Sequence, residues 1–473
     1  MLTTLRSSMA SKAKPALQFV RFLYSDFRRS NNASPAMYSE VESKLNEYAN
    51  SDPTPMSIFK MIEFSRERNL VTHYNYLRCE IPIRLSNMIK EMSVVPEFLS
   101  RTKGFKQIKD LYMYTMSDLL KYEGRALSDY SPQPIQKATI EEFAHTLSDQ
   151  LDRHAGVVHS LNDIYSELRA GTVAPYTRGK DNCIQYFTDR FLAIRLSMRL
   201  PILMFRILFL SQNQKVYYGA DDFLYKRLWY NVRLLPLLTD NYDVLHSAQQ
   251  AFEHTRTELA SEREAQCLSY NVNDFEVRKE LLKSLRLNIR LILPENSSHS
   301  GNTVSIPYVN HHLDRIFSEC FANAMEAIVR QELGPRTHQT LSSVRDENRL
   351  VIRMDVTPGT HDLTVVISDS AGGMPNRELE QVFRYSYSTK RIPKTHRSTA
   401  AGMLSGGFGL PVSRLYIKYL GGDMKILSTE GEGTNVFLYF LNEPEKVFER
   451  VPVCNHGTSA VYDNDLFFDK LKT

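Results

Sequence analysis

The sequence predicts an α+β chain: an N-terminal four-helix bundle, then an α/β sandwich built on a mixed sheet. Three observations carry this expectation. From about Ser57 to Leu235 the apolar residues recur mostly at steps of three and four, the period of a helix. Further on, Arg349–Val356, Asp362–Ser368, Met424–Thr429 and Asn435–Leu441 alternate apolar and polar, the period of a strand. Glycine-bearing turns lie among those strands: DSAGGMP at Asp369–Pro375, SGGFGLP at Ser405–Pro411 and EGEGT at Glu430–Thr434.

At 473 residues the chain is long enough for two or three domains and a sizeable core. A net charge of +4, part of it in the first thirty residues, leaves no basic tract of the kind that grips nucleic acid. The five cysteines are scattered and make no CxxC, which argues against a zinc site or a disulfide scaffold and fits a reducing compartment. No membrane insertion is expected. The most apolar stretch, Phe191–Leu210, carries Arg195, Arg199 and Arg206, each costing roughly 2.5–3.5 kcal/mol near a bilayer centre. It reads instead as a core helix kinked at Pro201.

Residues 1–30 carry Arg6, Lys12, Lys14, Arg21, Arg28 and Arg29 against the single acid Asp26. Ser, Thr and Ala are frequent, and Leu2, Leu5, Leu17, Val20 and Leu23 can share a stripe. This is the pattern of a mitochondrial transit peptide; a disordered basic tail has the same composition. Ordered chain begins at Tyr38–Leu45. SDPTP at Ser51–Pro55 is a turn, after which Thr54 or Ser57 caps a helix. Residues 38–235 are expected to form the bundle, from Arg78–Val95, Phe105–Tyr122, Ile140–Leu168 and Asn182–Leu210. Within it His154 reads most simply as a core histidine. Tyr217–Leu237, with Trp229, matches no assignable pattern. Residues 240–447 form the second domain and 448–473 a tail. Asp243–Arg263 reads as a helix, and Asn288–Leu293 and Thr303–Val309 as strands around the polar loop Pro294–Asn302.

The chemistry centres on His311–Arg330, HHLDRIFSECFANAMEAIVR, which has no Gly or Pro and places Leu313, Ile316, Phe317, Cys320, Ala324 and Ile328 on one stripe. Glu319 and Asn323 lie one turn apart on one face. Such a pair can supply a proton acceptor and an oxygen ligand for a hard cation such as Mg2+; it equally fits the solvated edge of a buried helix. Asp369 ends a strand before a glycine turn. A buried carboxylate there can accept an adenine amino group while Gly373 lets backbone approach the base, although an Asp also simply opens turns. Gly406, Gly407 and Gly409 precede a helix, where free amides suit phosphate, as many helix starts do. Thr434 can bond a base or a water bridging to it. His311 and His312 mark a helix start.

The order and spacing of these pieces resemble the nucleotide-binding (Bergerat-type) domain of the GHKL ATPases, the class of gyrase, bacterial histidine kinases and mitochondrial protein kinases. The helix matches the N-box and the turns the three glycine boxes. LRCEIPIRLSNMIKEMSVVPEFL, DRHAGVVHSL and NCIQYFTDRFLAIRLSMRLPI narrow the likeness to mitochondrial pyruvate dehydrogenase kinases and branched-chain 2-oxoacid dehydrogenase kinases. YSYST at Tyr385–Thr389 lies nearer the pyruvate branch. The resemblance implies a serine kinase of the mitochondrial matrix, using ATP and Mg2+, that phosphorylates and inactivates the pyruvate dehydrogenase complex on its decarboxylase α subunit. The helical domain would dock the lipoyl domain of the acyltransferase core, and the protein would be a homo- or heterodimer. The alternatives are the branched-chain complex as target, or a catalytically weak ATP-binding partner of another kinase. A DNA-directed GHKL ATPase is disfavoured by the helical half.

By the same resemblance Glu319 is catalytic and Asn323 holds Mg2+. ATP is contacted by Glu319, Asn323, Asp369, Gly373, Ser388, Thr389, Ser405, Gly406, Gly407, Phe408, Gly409, Leu410 and Thr434. Phe383–Leu404 resembles an ATP lid whose Lys390, Arg391, Lys394 and Arg397 approach the γ-phosphate. The chain also departs from the family. The His that precedes the catalytic Glu by four is Arg315, expected to pair with Glu319. The Lys before the Mg2+-binding Asn is Ala322, and the Arg three after it is Glu326. Ala371 and Ser405 replace glycines, and the family's Asp-Trp tail dipeptide has no counterpart after Pro452–Asn455.

Overall fold

The computed structural model describes residues 35–128, 130, 133–171, 177–213, 238–262, 288–294, 304–332, 350–388 and 407–463. Several of the features expected above lie outside these residues: the leader at 1–30, Tyr217–Leu237 with Trp229, most of the loop Pro294–Asn302, Thr389, the lid cations Lys390, Arg391, Lys394 and Arg397, and Ser405 and Gly406.

The described chain runs α1 Pro35–Tyr48, α2 Ile58–Arg66, α3 Leu70–Val94, α4 Glu97–Ser100, α5 Lys103–Leu120, α6 Gln133–Arg153, α7 Val157–Arg169 and α8 Arg178–Gln212. Then come β1 Leu238–Asp243, α9 Val244–Glu262, β2 Arg290–Ile292, β3 Ser305–Val309, α10 Asn310–Glu332, β4 Val351–Pro358 and β5 Asp362–Asp369. The remainder is α11 Asn376–Leu379, α12 Gly409–Tyr419, β6 Asp423–Thr429, β7 Gly433–Leu441 and α13 His456–Asp463. This is a mixed α/β chain. It divides into two compact units. One holds the described parts of Met1–Pro53, Leu70–Ile184 and Val453–Thr473; the other holds those of Thr54–Asn69 and Gln185–Pro452.

In the helical unit α3 packs on α1, α5 and α6, and α5 on α7. The α5 start is capped by Thr102, whose hydroxyl accepts from Phe105 N at 3.4 Å. Tyr74, Tyr122 and Phe143 meet edge to face, with Phe143 4.8 Å from Tyr74 and 4.9 Å from Tyr122. The stretch Ile140–Leu168, which reads as one run of helical period, is two helices parted by a 3-10 turn at His154–Gly156. Periodicity survives a tight turn that keeps its apolar side on the core. His154 is buried as expected, its Nε2 2.9 Å from Thr115 Oγ1 and its ring 4.5 Å from Tyr112. The chain end returns to α3: Tyr462 donates to Glu91 at 2.7 Å, and Cys454 N donates to Asn87 at 3.3 Å.

In the second unit the five-stranded sheet has the order β2-β4-β5-β7-β6. β2 pairs parallel with β4 and the remaining pairs are antiparallel, so the sheet is mixed. Leu363, Val365 and Ile367 of β5 and Val436, Leu438 and Phe440 of β7 point to the face that α10 and α12 cover. Each such buried side chain contributes about 1.5–3 kcal/mol relative to exposure. Thr303–Val309, expected as a strand, is one over Ser305–Val309 but lies outside this sheet. It pairs antiparallel with Leu238–Asp243 in a sheet of its own. That partner strand, LTDNYD, is too polar to alternate, so its period gave no sign of it. Ser57 caps α2, accepting from Lys60 N at 3.2 Å, and Ile58 N bonds Val447 O at 2.9 Å, tying α2 to the segment after β7.

Among the described residues no helix is long and apolar enough to cross a membrane.

Candidate functional site

The site is built on α10. This helix buries Leu313, Ile316, Phe317, Cys320, Ala324 and Ile328, together with Phe321, Met325 and Val329, because it packs on α9 on one side and on α12 and the sheet on others. Its rotation is fixed at the N-terminal end. Asp314 accepts from Tyr242 Oη at 2.8 Å and from Ser247 Oγ at 2.6 Å, and Asn310 Oδ1 accepts from Thr239 Oγ1 at 3.0 Å. His311 and His312 open the helix. Burial, then like charge from its neighbours, pushes the His312 imidazole down to about 3; it stays neutral, stacked 4.4 Å from Tyr416. Cys320 is buried, and burial first and Glu319 second push its thiol far above the ordinary range, so it is no thiolate nucleophile.

Glu319 is 9 % exposed and accepts from Arg315 Nη2 at 3.1 Å, the pair anticipated from their spacing. Its other oxygen faces the start of α12: a β-carbon placed on Gly409 would stand 2.5 Å from Glu319 Oε2. One turn on, Asn323 is half-buried, and its carboxamide has no hydrogen-bond partner among the described residues. Ala322 is buried and Glu326 half-buried. At the far end of the same helix, Gln331 Nε2 lies 3.5 Å from where a β-carbon on Gly372 would be. The part of α10 from Glu319 to Gln331 thus links the second glycine turn to the first, on the order of 18 Å at 1.5 Å per residue.

The first and third turns form one structure. Gly431 N bonds Gly372 O at 2.8 Å, and Gly372 N bonds Glu432 O at 3.3 Å. Gly373 has φ +61°, and any β-carbon there would overlap the Thr429 and Gly433 carbonyl oxygens, so glycine is required twice over. Asp369 Oδ1 accepts from Ala371 N at 2.9 Å. Burial lifts its carboxyl to about 6, against the pull of the Ala371 and Thr434 amides. Thr434, buried, pairs with Asp369 across the strands, and its hydroxyl lies 3.0 Å from Ser428 Oγ. Ser428 also accepts from Met374 N at 2.9 Å. Ser428 escaped the sequence reading because nothing in strand β6 marks it before its partners are known.

The second turn is described from Gly407, with φ +99°, where any β-carbon would overlap the Tyr387 and Tyr385 carbonyl oxygens. Phe408 is fully buried and lies 4.9 Å from the Tyr385 ring. Gly409 and Leu410 are half-buried at the first turn of α12, and Ser388 is exposed. Gly409 opens α12, the end of a helix at which backbone N–H groups point outward and suit an anion.

Two family models match successive parts of the chain. The family described as mitochondrial branched-chain alpha-ketoacid dehydrogenase kinase matches residues 55–222. The family described as histidine kinase-, DNA gyrase B- and HSP90-like ATPase matches residues 308–444, the span holding α10 and all three glycine turns. Mouse (Mus musculus) pyruvate dehydrogenase (acetyl-transferring) kinase isozyme 4, mitochondrial, is 30% identical over 440 residues, covering 92% of this chain and 92% of its own. The chain belongs to the mitochondrial pyruvate dehydrogenase kinase and branched-chain 2-oxoacid dehydrogenase kinase family. Rat (Rattus norvegicus) isozyme 1 is 29% identical over 435 residues, 92% of this chain and 87% of its own. Human (Homo sapiens) isozyme 1 is 27% identical over 463 residues, 98% and 94% respectively. The second unit therefore carries a GHKL ATPase domain, as the motifs implied.

The donor set can be tested for Mg2+. Among the described residues no three His, Cys, Asp or Glu side chains gather as a metal cage. One free carboxamide oxygen beside a carboxylate suits an ion that keeps several waters and takes its other ligands from phosphates.

Proposed function

We propose that this chain is an ATP-dependent protein serine kinase of the mitochondrial matrix that phosphorylates and inactivates the pyruvate dehydrogenase complex on its decarboxylase α subunit. The observation that carries the reading is Glu319. It is a carboxylate held at the first residue of the helix that follows the phosphate-type glycine turn, on the same helical face as a free Asn323. Asp369 accepts the adenine amino group, Gly373 admits the base, and Thr434 with Ser428 orders a water at its edge. Ser388 and Thr389 contact the nucleotide. Ser405, Gly406, Gly407, Phe408, Gly409 and Leu410 give backbone amides to the phosphates. Asn323 holds Mg2+, which when bound offsets phosphate charge. Glu319 takes the proton of the attacking serine hydroxyl, and Arg315 fixes which oxygen is free to do so. With Ala322 and Glu326 where the family has cations, one of Lys390, Arg391, Lys394 and Arg397 supplies positive charge at the γ-phosphate.

Residues 38–235 serve as the helical domain that docks the lipoyl domain of the acyltransferase core. The protein works as a dimer. In support, the sheet face opposite α10 and α12 carries half-buried Val366, Phe437 and Tyr439 beside exposed Leu427 and Leu441.

A second reading, the branched-chain complex as target, draws support from the description of the family that matches residues 55–222. A third, a weak ATP-binding partner, draws it from Arg315, Ala322 and Glu326. Incubation with γ-labelled ATP, Mg2+ and each purified complex separates them: label on the pyruvate complex supports the proposal, label only on the branched-chain complex favours the second, and label on neither favours the third.

A further inference from the structure

Tyr385 and Phe408 are a buried aromatic pair beneath the second glycine turn, and Tyr385 is held from a helix distant in sequence. Gln185 of α8 accepts from Tyr385 N at 3.2 Å and donates from Nε2 to Phe383 O at 3.1 Å, gripping two backbone positions as a neighbouring strand would. One turn further along α8, Asp189 Oδ1 accepts from Tyr385 Oη at 2.8 Å. The Tyr385 ring, fully buried, then lies 4.9 Å from that of Phe408, and the Tyr385 and Tyr387 carbonyls close on Gly407. On the other side Arg414 of α12 stacks 4.4 Å over Phe383 and donates to Asp423 at 3.1 Å. The contacts run in series: α8 fixes Tyr385, Tyr385 fixes Phe408, and Phe408 immediately precedes Gly409 against Glu319.

We infer that Asp189 and Gln185 are positioning residues for the phosphate turn: they set the place of Gly407–Gly409, and so the affinity for the nucleotide phosphates, without touching the nucleotide. A hydrogen-bonded carboxylate is a costly way merely to fill space beside a tyrosine. Burial raises the Asp189 carboxyl although bonds from Tyr385 and Gln185 and the charges of Lys418 and Arg414 all pull it down. The arrangement makes sense where orientation matters, since small displacements of a phosphate cradle cost large factors. Gln185 and Asp189 face the same segment because they lie four apart on one helix.

This inference rests on ATP being the ligand. The test is a double-mutant cycle in the full-length protein, with Asp189→Asn, Tyr385→Phe and the pair. ATP affinity is read by calorimetry in the presence of Mg2+, adenosine affinity in parallel, and thermal unfolding without nucleotide. Tyr385→Phe keeps the ring on Phe408 and removes only the hydroxyl. The expectation is an ATP Kd raised about tenfold by either change, with no further loss in the pair and adenosine binding altered by less than about threefold. Coupling in thermal stability alone, with ATP affinity within about twofold of wild type, would reduce the pair to ordinary packing and overturn the inference. Wild-type protein that fails to bind ATP at all would overturn the ATP reading itself, a different result. Should Asp189→Asn fold poorly, Gln185→Ala and Tyr385→Phe are read singly: each removes a different α8 contact, and each should raise the ATP Kd while leaving adenosine affinity within about threefold.

Discussion

Glu319 Oε2 occupies the space that a side chain on Gly409 would need, 2.5 Å from the β-carbon position. The obstacle is the end of a side chain rather than backbone, so the fold can yield where the chemistry cannot. Gly409→Ala is expected to shift the thermal midpoint little while turning Glu319 away from the phosphate turn. Turnover should fall about 100-fold, the cost of misplacing a reacting group. Differential scanning fluorimetry beside steady-state kinase kinetics checks both halves.

Asp369 gives the account a pH dependence. Its carboxyl is raised to about 6 in the folded protein, mainly by burial. An acid so shifted contributes stability that is fully present below its unfolded value, ~3.9, and is lost as pH rises through about 6. On the proposed reading nucleotide binding runs the other way, because an adenine amino group at Asp369 needs the ionised acceptor. ATP affinity is therefore expected to rise about tenfold between pH 5 and 7 and then level off. Calorimetric titration of wild type against Asp369→Asn isolates this group from the ionisation of the nucleotide: the variant should bind weakly and without that rise.

The side chains of Arg315 and Glu319 are 17% and 11% exposed, too enclosed for a neutral surface pair and too open for a fully buried one. Arg315→Ala strands a carboxylate and is expected to cost about 1–2 kcal/mol in urea unfolding, with turnover reduced more than ATP affinity. Arg315→Lys should recover part of the stability and less of the rate, since an ammonium fixes one oxygen less firmly than a planar fork.

Gly373→Ala meets backbone on two sides at φ +61°. It should destabilise by at least about 2 kcal/mol and weaken adenosine and ATP alike, because the base pocket itself deforms. Chemical unfolding and calorimetry with both ligands test it.

The parts of this site that were legible in the sequence are those whose physics is local. Positive φ at Gly372, Gly373, Gly407 and Gly431 demands glycine, so the turns announce themselves. Alternation marked β5 and β7, spacing put Glu319 and Asn323 on one face, and the family resemblance pointed to Arg315 one turn before them. What could not be read depends on contacts far along the chain. Asp189 reaches Tyr385 across 196 residues, and an isolated carboxylate on an amphipathic helix carries no mark of its partner. Strand β1 exists because β3 pairs with it, not because Leu238–Asp243 favours extension. The division of Ile140–Leu168 at His154–Gly156 was hidden because the apolar side continues through the turn.

The most direct test of the account is Glu319→Gln in the full-length protein, assayed with γ-labelled ATP, Mg2+ and the pyruvate dehydrogenase complex. The account predicts ATP binding within about threefold of wild type and serine phosphorylation slowed by 10²–10⁴, roughly the range for loss of a positioned general base. A variant that phosphorylates the complex at the wild-type rate would contradict it.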